Sequence, residues 1–548
     1  MTHKAPRSTQ GSYDATPGAG MSGDALHTDA ARRESRAHGR TARPTHGART
    51  GHPARLGWIV FVVALVLYTA TANRGAQWQD SGIHILRVVT QQPVNPLGLA
   101  LSHPLHHWLA RLAVAPGLLE PAFSVTLVSA FAAAVAVAVV YASVLSLTDN
   151  SRAAVFAAIS LMVANTFWQL ATRAETYTIT AALLAAESWC VIVYARCRRP
   201  RHLVAMFLCN GLGVANHMVA ALTTPILAVV VVLEVMRGRV RRRVALACGV
   251  GWLVGSLPYG VMIVDALLCG GGAVDVMNSA LFGSAYAGNV LNARVTWYMV
   301  MVSVGCVGFN FPNLLLPASM LGILRWRGLR SSGLARRVLT AQLCVHALFA
   351  LRYNVVDQHY FFLPMYVLLA VFGGSGFAVA HKTWSGPNAR RARIAAGVML
   401  LATPFLYGLA PAVARRFDWL GSIVHHKPYR DDYTYLMTPW SVVERSAERL
   451  STHALALAGR DGLILVEDGM AEPALRYHAI RLGRVDVDIT TDLDPDHHRA
   501  DAAAGRTVVL VPFNANAPTA APPMGSWQRV GDLYTLEKKV SGRNGTAA

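Results

Sequence analysis

An acid, a hydroxyl, a glycine and a histidine follow the first long apolar run of the chain, in Gln79-Asp80-Ser81-Gly82-Ile83-His84. A carboxylate where a membrane helix meets water can act as a general base toward a hydroxyl acceptor. Asp80 and Ser81 also open a helical pattern, and Asp suits an N-cap. The sequence leaves both roles for Asp80 open. Apolar residues recur at Ile83, Ile85, Leu86, Val88 and Val89, and again past Pro93 and Pro96 at Leu105, Trp108, Leu109 and Leu112. That spacing predicts two short amphipathic helices lying along an interface, not another crossing.

Four further constellations could serve such a site. Arg173-Ala174-Glu175-Thr176-Tyr177 follows a polar-aromatic run, Asn165 to Gln169. Arg173 could hold an anionic headgroup that Glu175 orients, or the two could form an interfacial ion pair. His84, His103, His106 and His107 share a loop with Asp80, so together they could ligate a divalent metal or serve as structural histidines. Asn216-His217 could bind a phosphate or make a structural hydrogen bond. Arg352-Tyr353-Asn354-Val355-Val356-Asp357-Gln358-His359-Tyr360 offers a cation suited to bidentate phosphate contact, an acid and aromatics. Its plain alternative is an aromatic belt with a capping Asp357. Near the C-terminus, Val466-Glu467-Asp468-Gly469 and Asp494-Pro495-Asp496-His497-His498 read as strand-end acids or as turns. No phosphate-binding loop, dinucleotide fingerprint or nucleophile elbow occurs, which removes support for ATP- or NAD-driven chemistry.

The frame for these residues is a membrane. Of 548 residues, 53% are hydrophobic and 15% charged, against about 25% charged in a soluble domain. The apolar runs are too long for globular cores, so the chain is a polytopic α-helical membrane protein. The formal charge of +20 sits in short basic clusters between apolar runs. Topology accounts for them, and nucleic acid is not an expected partner. The seven cysteines all lie in or beside the apolar region and form no CxxC pair, so no disulfide framework is expected.

Residues 1–55 have almost no large apolar side chains and are expected to be a disordered basic tail. The run 56–72 reads as an uncleaved signal anchor that keeps this tail in the cytoplasm and sends the loop 73–121 outside. Alternate loops are then basic, as in Arg196 to Arg201, Arg237 to Arg243, Arg325 to Arg337 and Lys382 to Arg393. The alternation predicts about eleven spans over 56–413 and an external C-terminus. Spans at 203–215 and 338–351 are short for a crossing, which suggests a cavity opening outward. Glu187 is an exception within a span and reads as a helix–helix contact. Residues 414–548 carry more acid and alternate helix and strand patterns, predicting a small α/β domain with strands at 462–466, 485–489, 507–511 and within 527–536.

Taken in order, these elements resemble the GT-C class of membrane glycosyltransferases. More closely, they resemble a bacterial multi-pass family related to eukaryotic O-mannosyltransferases of IPT domains. The resemblance runs through Asp80-Ser81-Gly82, His103-Pro104-Leu105, Trp168, Ala174-Glu175-Thr176-Tyr177, Asn216-His217 and Leu257-Pro258-Tyr259. It ends at Asp357-Gln358 and Phe361-Phe362-Leu363-Pro364, covering residues 56–380. The family commonly has Glu directly after Asp-Ser-Gly, where this chain has Ile83. Any role of that Glu would pass to His84 or Glu175.

The resemblance implies transfer of a sugar, such as mannose, from a polyprenyl phosphate to a protein or glycan hydroxyl, with inversion, at the outer face of a bacterial inner membrane. It casts Asp80 as base with Glu175 beside it. The donor phosphate would lie among Arg173, Tyr177, His217, Arg352, Gln358 and His359, and Ser81, Gly82, His84, His103 and Asp357 would support the loop or acceptor. A divalent metal could assist. The competing readings are a flippase for lipid-linked sugars, which midplane charges would favour, and a non-catalytic envelope component.

Overall fold

The computed structural model describes residues 51–284, 286–325, 333–383, 386–421, 426–514 and 524–537. The tail expected to be disordered lies outside them up to residue 50, as do parts of the basic loops after Arg325 and Lys382 and the last residues of the chain. Residues Pro53–Ala548 form one compact unit.

Among the described residues eight helices are long and apolar enough to cross a membrane, and ten spans result if each of two bent pairs counts as one. This is an integral membrane protein. The expected span 153–171 is the pair Ser151–Met162 and Asn165–Ala171, bent by 68°, and 296–324 is Trp297–Asn310 and Leu315–Leu324, bent by 105°. Pro312 lies in the second break, where it can neither continue the first helix nor donate to it. Asn313 Oδ1 then accepts from the Leu315 amide at 2.9 Å and starts the next helix. The expected count of about eleven included 203–215. That segment is the helix Arg201–Asn216, and its 16 residues rise about 24 Å, less than the ~30 Å of hydrocarbon. The segment 338–351 turns out longer than its hydropathy suggested. It ends a 20-residue helix, Gly333–Arg352, whose early Arg336 and Arg337 obscured its start.

The centre of the bundle is Pro121–Thr148, Tyr177–Cys197 and Gln358–Thr383, the most enclosed of the spans. Small residues let these backbones approach closely, which is how helices associate where lipid removes the hydrophobic drive. Gly376 is the sharpest case, since a β-carbon there would collide with the Ala318 carbonyl. Peripheral helices instead expose apolar faces such as Trp58, Val62 and Val66, or Leu253, Val254 and Leu257. Glu187 is buried between helices, as the sequence suggested. Its carboxylate accepts from Asn210 at 2.9 Å, from Thr223 at 3.3 Å and from Gln342, joining three helices.

The C-terminal part forms a five-stranded sheet of order β2-β1-β3-β5-β4. Its strands are β1 (Leu463–Val466), β2 (Asp488–Thr490), β3 (Val508–Val511), β4 (Trp527–Val530) and β5 (Leu533–Leu536). β1 runs parallel to β2 and β3, while β5 pairs antiparallel with β3 and β4. β1 and β3 are buried on both faces, as their unbroken apolar sequences require. One face meets the helices Ser446–Ala458 and Glu472–Arg481, and Trp78 from the first loop joins that same core. The sheet is thus packed onto the loop that carries Asp80.

Candidate active site

Asp80 is the first residue of the helix Asp80–Val89, and the N-cap is Gln79, which makes no side-chain cap. The capping role left open for Asp80 is therefore not the one it plays, and its carboxylate is available for other work. The predicted helices of the first loop are present as Asp80–Val89 and Pro104–Val114. They are more enclosed than interfacial helices would be: His84, Ile85, Val88, His106, His107 and Ala110 are all buried. Gly82 allows the close fit, since a β-carbon would strike the Gln77 carbonyl and sit 3.3 Å from the Ala474 amide on the sheet side. Ser81 Oγ is buried beside it and makes no hydrogen bond. Arg87, which the sequence reading missed, is buried and donates to the carbonyls of Gln92, Pro93 and Ser102, fixing the return of the loop.

Asp80 meets the other predicted residues from across the bundle. It is deep in the protein yet partly accessible. Burial, reinforced by the charge of Asp357, pushes its carboxyl up to about 7. Asp357 is itself raised by burial. Glu175 is almost fully buried and held well above the ordinary range, first by burial and then by Asp80 and Asp357. The Glu175 backbone is fixed by reciprocal 2.9 Å bonds with Ser129 Oγ, while Oε2 has no partner. Three carboxyls in mutual electrostatic reach cannot all ionise cheaply, so they partition protons among themselves. Tyr286, which sequence reading did not select, also lies within the field of Asp80 and Asp357.

A second wall is aromatic and imidazole. The His217 ring lies 4.9 Å from His103, 5.1 Å from Tyr177 and 5.8 Å from Phe361. Asn216 holds this corner by donating to Thr176 O and Thr180 Oγ1, both at 2.8 Å. Two backbone bonds set the tautomers. His103 Nδ1 is 2.7 Å from the Asn216 carbonyl, so it carries the proton. His217 Nδ1 accepts from the Val219 amide at 3.2 Å, and burial lowers this imidazole to about 4. Neutral His217 therefore carries its proton on Nε2 and offers one neutral donor.

The histidines do not make a metal centre. The rings of His84, His103 and His106 lie 4.9–5.5 Å apart in edge and tilted contacts. Among the described residues no group of three His, Cys, Asp or Glu side chains is arranged to hold a metal ion. The donor set does not fit the divalent ion that the sequence allowed.

The expected phosphate ligands are mostly committed elsewhere. Arg173 donates to Ser441 Oγ at 3.0 Å, Tyr435 O at 2.8 Å and Tyr360 OH at 3.3 Å. Arg352 Nη1 donates to the carbonyls of Val290 and Asn292 at 2.6 and 2.7 Å, pinning the loop before Trp297. Gln358 closes the end of the preceding helix through the carbonyls of Ala350 and Leu351. His359 stacks against Tyr360 with centroids 4.2 Å apart. The segment around Tyr435 and Ser441 gave no local signal, because its partners lie more than 260 positions away in sequence.

The whole described architecture superposes on the crystal structure of ArnT from Cupriavidus metallidurans in the apo state with a TM-score of 0.60, at 13% identity, covering 88% of this chain and 98% of that one. The chain has a GT-C fold. In the GT-C frame, the same enzyme bound to undecaprenyl phosphate aligns at a TM-score of 0.56 and 14% identity, with the same coverage of each chain. Residues 80–239 match the family model described as protein O-mannosyl-transferase TMEM260 N-terminal domain. That match opens on Asp80 and contains Arg173, Glu175, Tyr177 and His217. No curated protein matches the chain significantly.

Proposed function

We propose that this protein is a glycosyltransferase that moves a sugar from a polyprenyl phosphate to a hydroxyl of a protein or glycan at the outer face of the membrane. The observation that carries the reading is Asp80: deep-set, partly accessible, and the first residue of the stretch that matches an O-mannosyl-transferase domain. A carboxyl tuned to about 7 is near-optimal for removing a hydroxyl proton at neutral pH. The acceptor proton passes to Asp80 and the acceptor oxygen bonds to the anomeric carbon. The bond from that carbon to the phosphate oxygen breaks, and its electron pair leaves on the polyprenyl phosphate. A base on the face opposite the leaving group gives inversion.

Of the six phosphate residues named from the sequence, His217 through Nε2–H and Tyr177 through its OH supply the donors on the phosphate side, while Arg173 and Arg352 keep their bonds within the protein. Neutral preorganised donors in a low-dielectric recess stabilise developing charge without reorganising. Glu175 is held toward its protonated form by burial and by the charges of Asp80 and Asp357, which limits the charge that accumulates around Asp80. In this reading the membrane is a bacterial inner membrane, and the short, enclosed helix Arg201–Asn216 still joins its two faces, as protein-lined short helices can, which keeps the sheet region on the non-cytoplasmic side.

The test uses the full-length protein in lipid nanodiscs with undecaprenyl-phosphate mannose, and the corresponding glucose and galactose donors as a panel. Release of undecaprenyl phosphate with acceptor present, and its loss in Asp80→Asn, is expected. No turnover of any donor, or wild-type turnover by Asp80→Asn, refutes the proposal.

A further inference from the structure

Gln79 has φ 62° and ψ −145°, a backbone region that only glycine enters without strain. The strain sits one residue before Asp80, and the sheet region supplies what holds it. The Gln79 amide donates to the Met470 carbonyl at 3.1 Å. On the other side the Gln79 carbonyl accepts from the amides of Gly82 and Ile83. Met470 is in turn set by Asp468, whose Oδ1 accepts from the Met470 amide at 3.1 Å. Asp468 Oδ2 is gripped by Lys427 Nζ at 2.7 Å and by Tyr429 OH at 2.9 Å. Trp78, beside Gln79, packs at a tilt with its ring centroid 4.8 Å from that of Tyr429 and donates to Ser446 Oγ at 2.8 Å. An unbroken set of short contacts thus runs from the end of β1 to the residue that aims Asp80.

We propose that the Asp468–Met470 turn is a latch that imposes the left-handed backbone at Gln79, making Asp468 a positioning residue for Asp80. This rests on the transferase reading above for its activity readout, though the latch itself is a statement about backbone geometry. Asp468 touches no reacting group. It acts by fixing the Met470 carbonyl, which fixes Gln79, which sets where the Asp80 carboxylate starts its helix. The acidic turn at the end of β1 is thereby assigned a role in the loop 73–121, and the sheet region becomes a part of the catalytic frame.

The decisive experiment is a rescue. Asp468→Ala should lower kcat about 10- to 100-fold, the scale expected when a catalytic group is misplaced by about 1 Å, with donor KM little changed. Adding Gln79→Gly, which makes the same backbone conformation intrinsic, should restore most of the lost turnover. Asp468→Asn keeps an oxygen for the Met470 amide and should lose far less. Hydrogen exchange of the peptide spanning residues 77–83 provides a readout independent of catalysis: Asp468→Ala should speed exchange at Gln79. Loss of turnover in Asp468→Ala without rescue by Gln79→Gly overturns the latch, as does unchanged exchange and turnover in Asp468→Ala alongside a dead Asp80→Asn. Undiminished turnover in Asp80→Asn overturns the transferase reading instead, and leaves the exchange experiment to judge the latch.

Discussion

The Arg173 guanidinium lies over the Tyr435 ring, 4.0 Å from its centroid, while donating to the Tyr435 carbonyl at 2.8 Å. One side chain at the mouth of the bundle thus grips a residue of the C-terminal segment by both its backbone and its face. Arg430 approaches the same ring, also at 4.0 Å. Asn73 adds bonds to the Ser441 and Glu444 carbonyls at 2.9 and 2.7 Å, and Gln169 donates to the Tyr435 carbonyl at 2.8 Å. The segment between the last membrane helix and the sheet is therefore stitched to the loop that begins at Asn73 and to the stretch from Gln169 to Arg173.

Arg173→Lys should destabilise the protein even though charge is kept. Lysine cannot reproduce the planar fork or the stacking, and hydrogen bonds to charged groups contribute about 1.5–3 kcal/mol each. The expected outcome is an apparent melting midpoint several degrees lower in detergent, together with faster proteolytic cutting between residues 429 and 446. A variant that melts like wild type but loses affinity for the lipid donor would return Arg173 to the phosphate.

Asp80 should give the activity an acidic limb near pH 7. The base works only when ionised, so kcat/KM should rise with pH through about 7 and level above it. Stability should run the other way. The folded-state carboxyl is raised above its unfolded value, so the folded state binds more protons between the two values and loses stability as pH rises through that window. Asp80→Asn, besides abolishing transfer, should therefore raise the melting midpoint at pH 8 and change it little at pH 4. Melting curves at the two pH values check this.

Asp357→Asn should move that limb. Asp357 raises Asp80 by like-charge repulsion, second only to burial. Removing its charge lets Asp80 ionise more readily, so the acidic limb of kcat/KM should shift to lower pH while the plateau changes less. A pH–rate profile of the variant superimposable on wild type would show that the two carboxyls do not share a field.

Much of the frame was legible in the chain because membranes leave few options. Apolar runs must be helices, and β1 and β3 read as buried strands because Leu463–Val466 and Val508–Val511 are apolar throughout. Asp80, Glu175, His217 and Asp357 were each marked by polar residues at the ends of apolar runs; Asp80, Glu175 and Asp357 lie within one another's electrostatic reach, and His217 packs on Tyr177. Their hydrogen bonding was not legible. Arg173 and Arg352 look like free cations in a linear sequence, and only tertiary structure supplies Ser441, Tyr435, Val290 and Asn292 as their partners. The capping role offered to Asp80 failed for a related reason: Gln79 takes the cap position in a backbone conformation that nothing in its side chain advertises. The metal allowed by four nearby histidines failed because ring packing, not lone-pair convergence, brings them together.

His217 should matter as a donor and not as a charge. Its neutral form presents Nε2–H, so His217→Gln, which can still donate, should retain more affinity for undecaprenyl-phosphate mannose than His217→Phe. The Phe variant keeps the packing against Tyr177 and Phe361 but should raise KM about 5- to 30-fold, the value of one or two kcal/mol for a hydrogen bond to an anion. Because the imidazole is already neutral above about pH 4, this penalty should not change between pH 6 and 8. A penalty that is largest at pH 6 and shrinks toward pH 8 would mean that His217 works as a cation after all.

Glu187 separates a transferase from a transporter. Its carboxylate receives donors from Asn210, Thr223 and Gln342, so it holds three helices together within the bilayer. If that is its whole task, Glu187→Gln should keep turnover near wild type at a modest cost in stability, because the amide oxygen still accepts from Asn210 and Thr223, which share Oε2, and only the Gln342 bond to Oε1 is lost. Glu187→Ala should lower stability in detergent, since buried donors would lose their acceptor at about 1–3 kcal/mol apiece and the membrane offers no water to replace it. A carrier that cycles a proton or a cation through this position would behave differently. It would lose movement of lipid-linked sugar across vesicles in Glu187→Gln while remaining fully folded, and that result would favour the transport reading over the one the Asp80 recess supports.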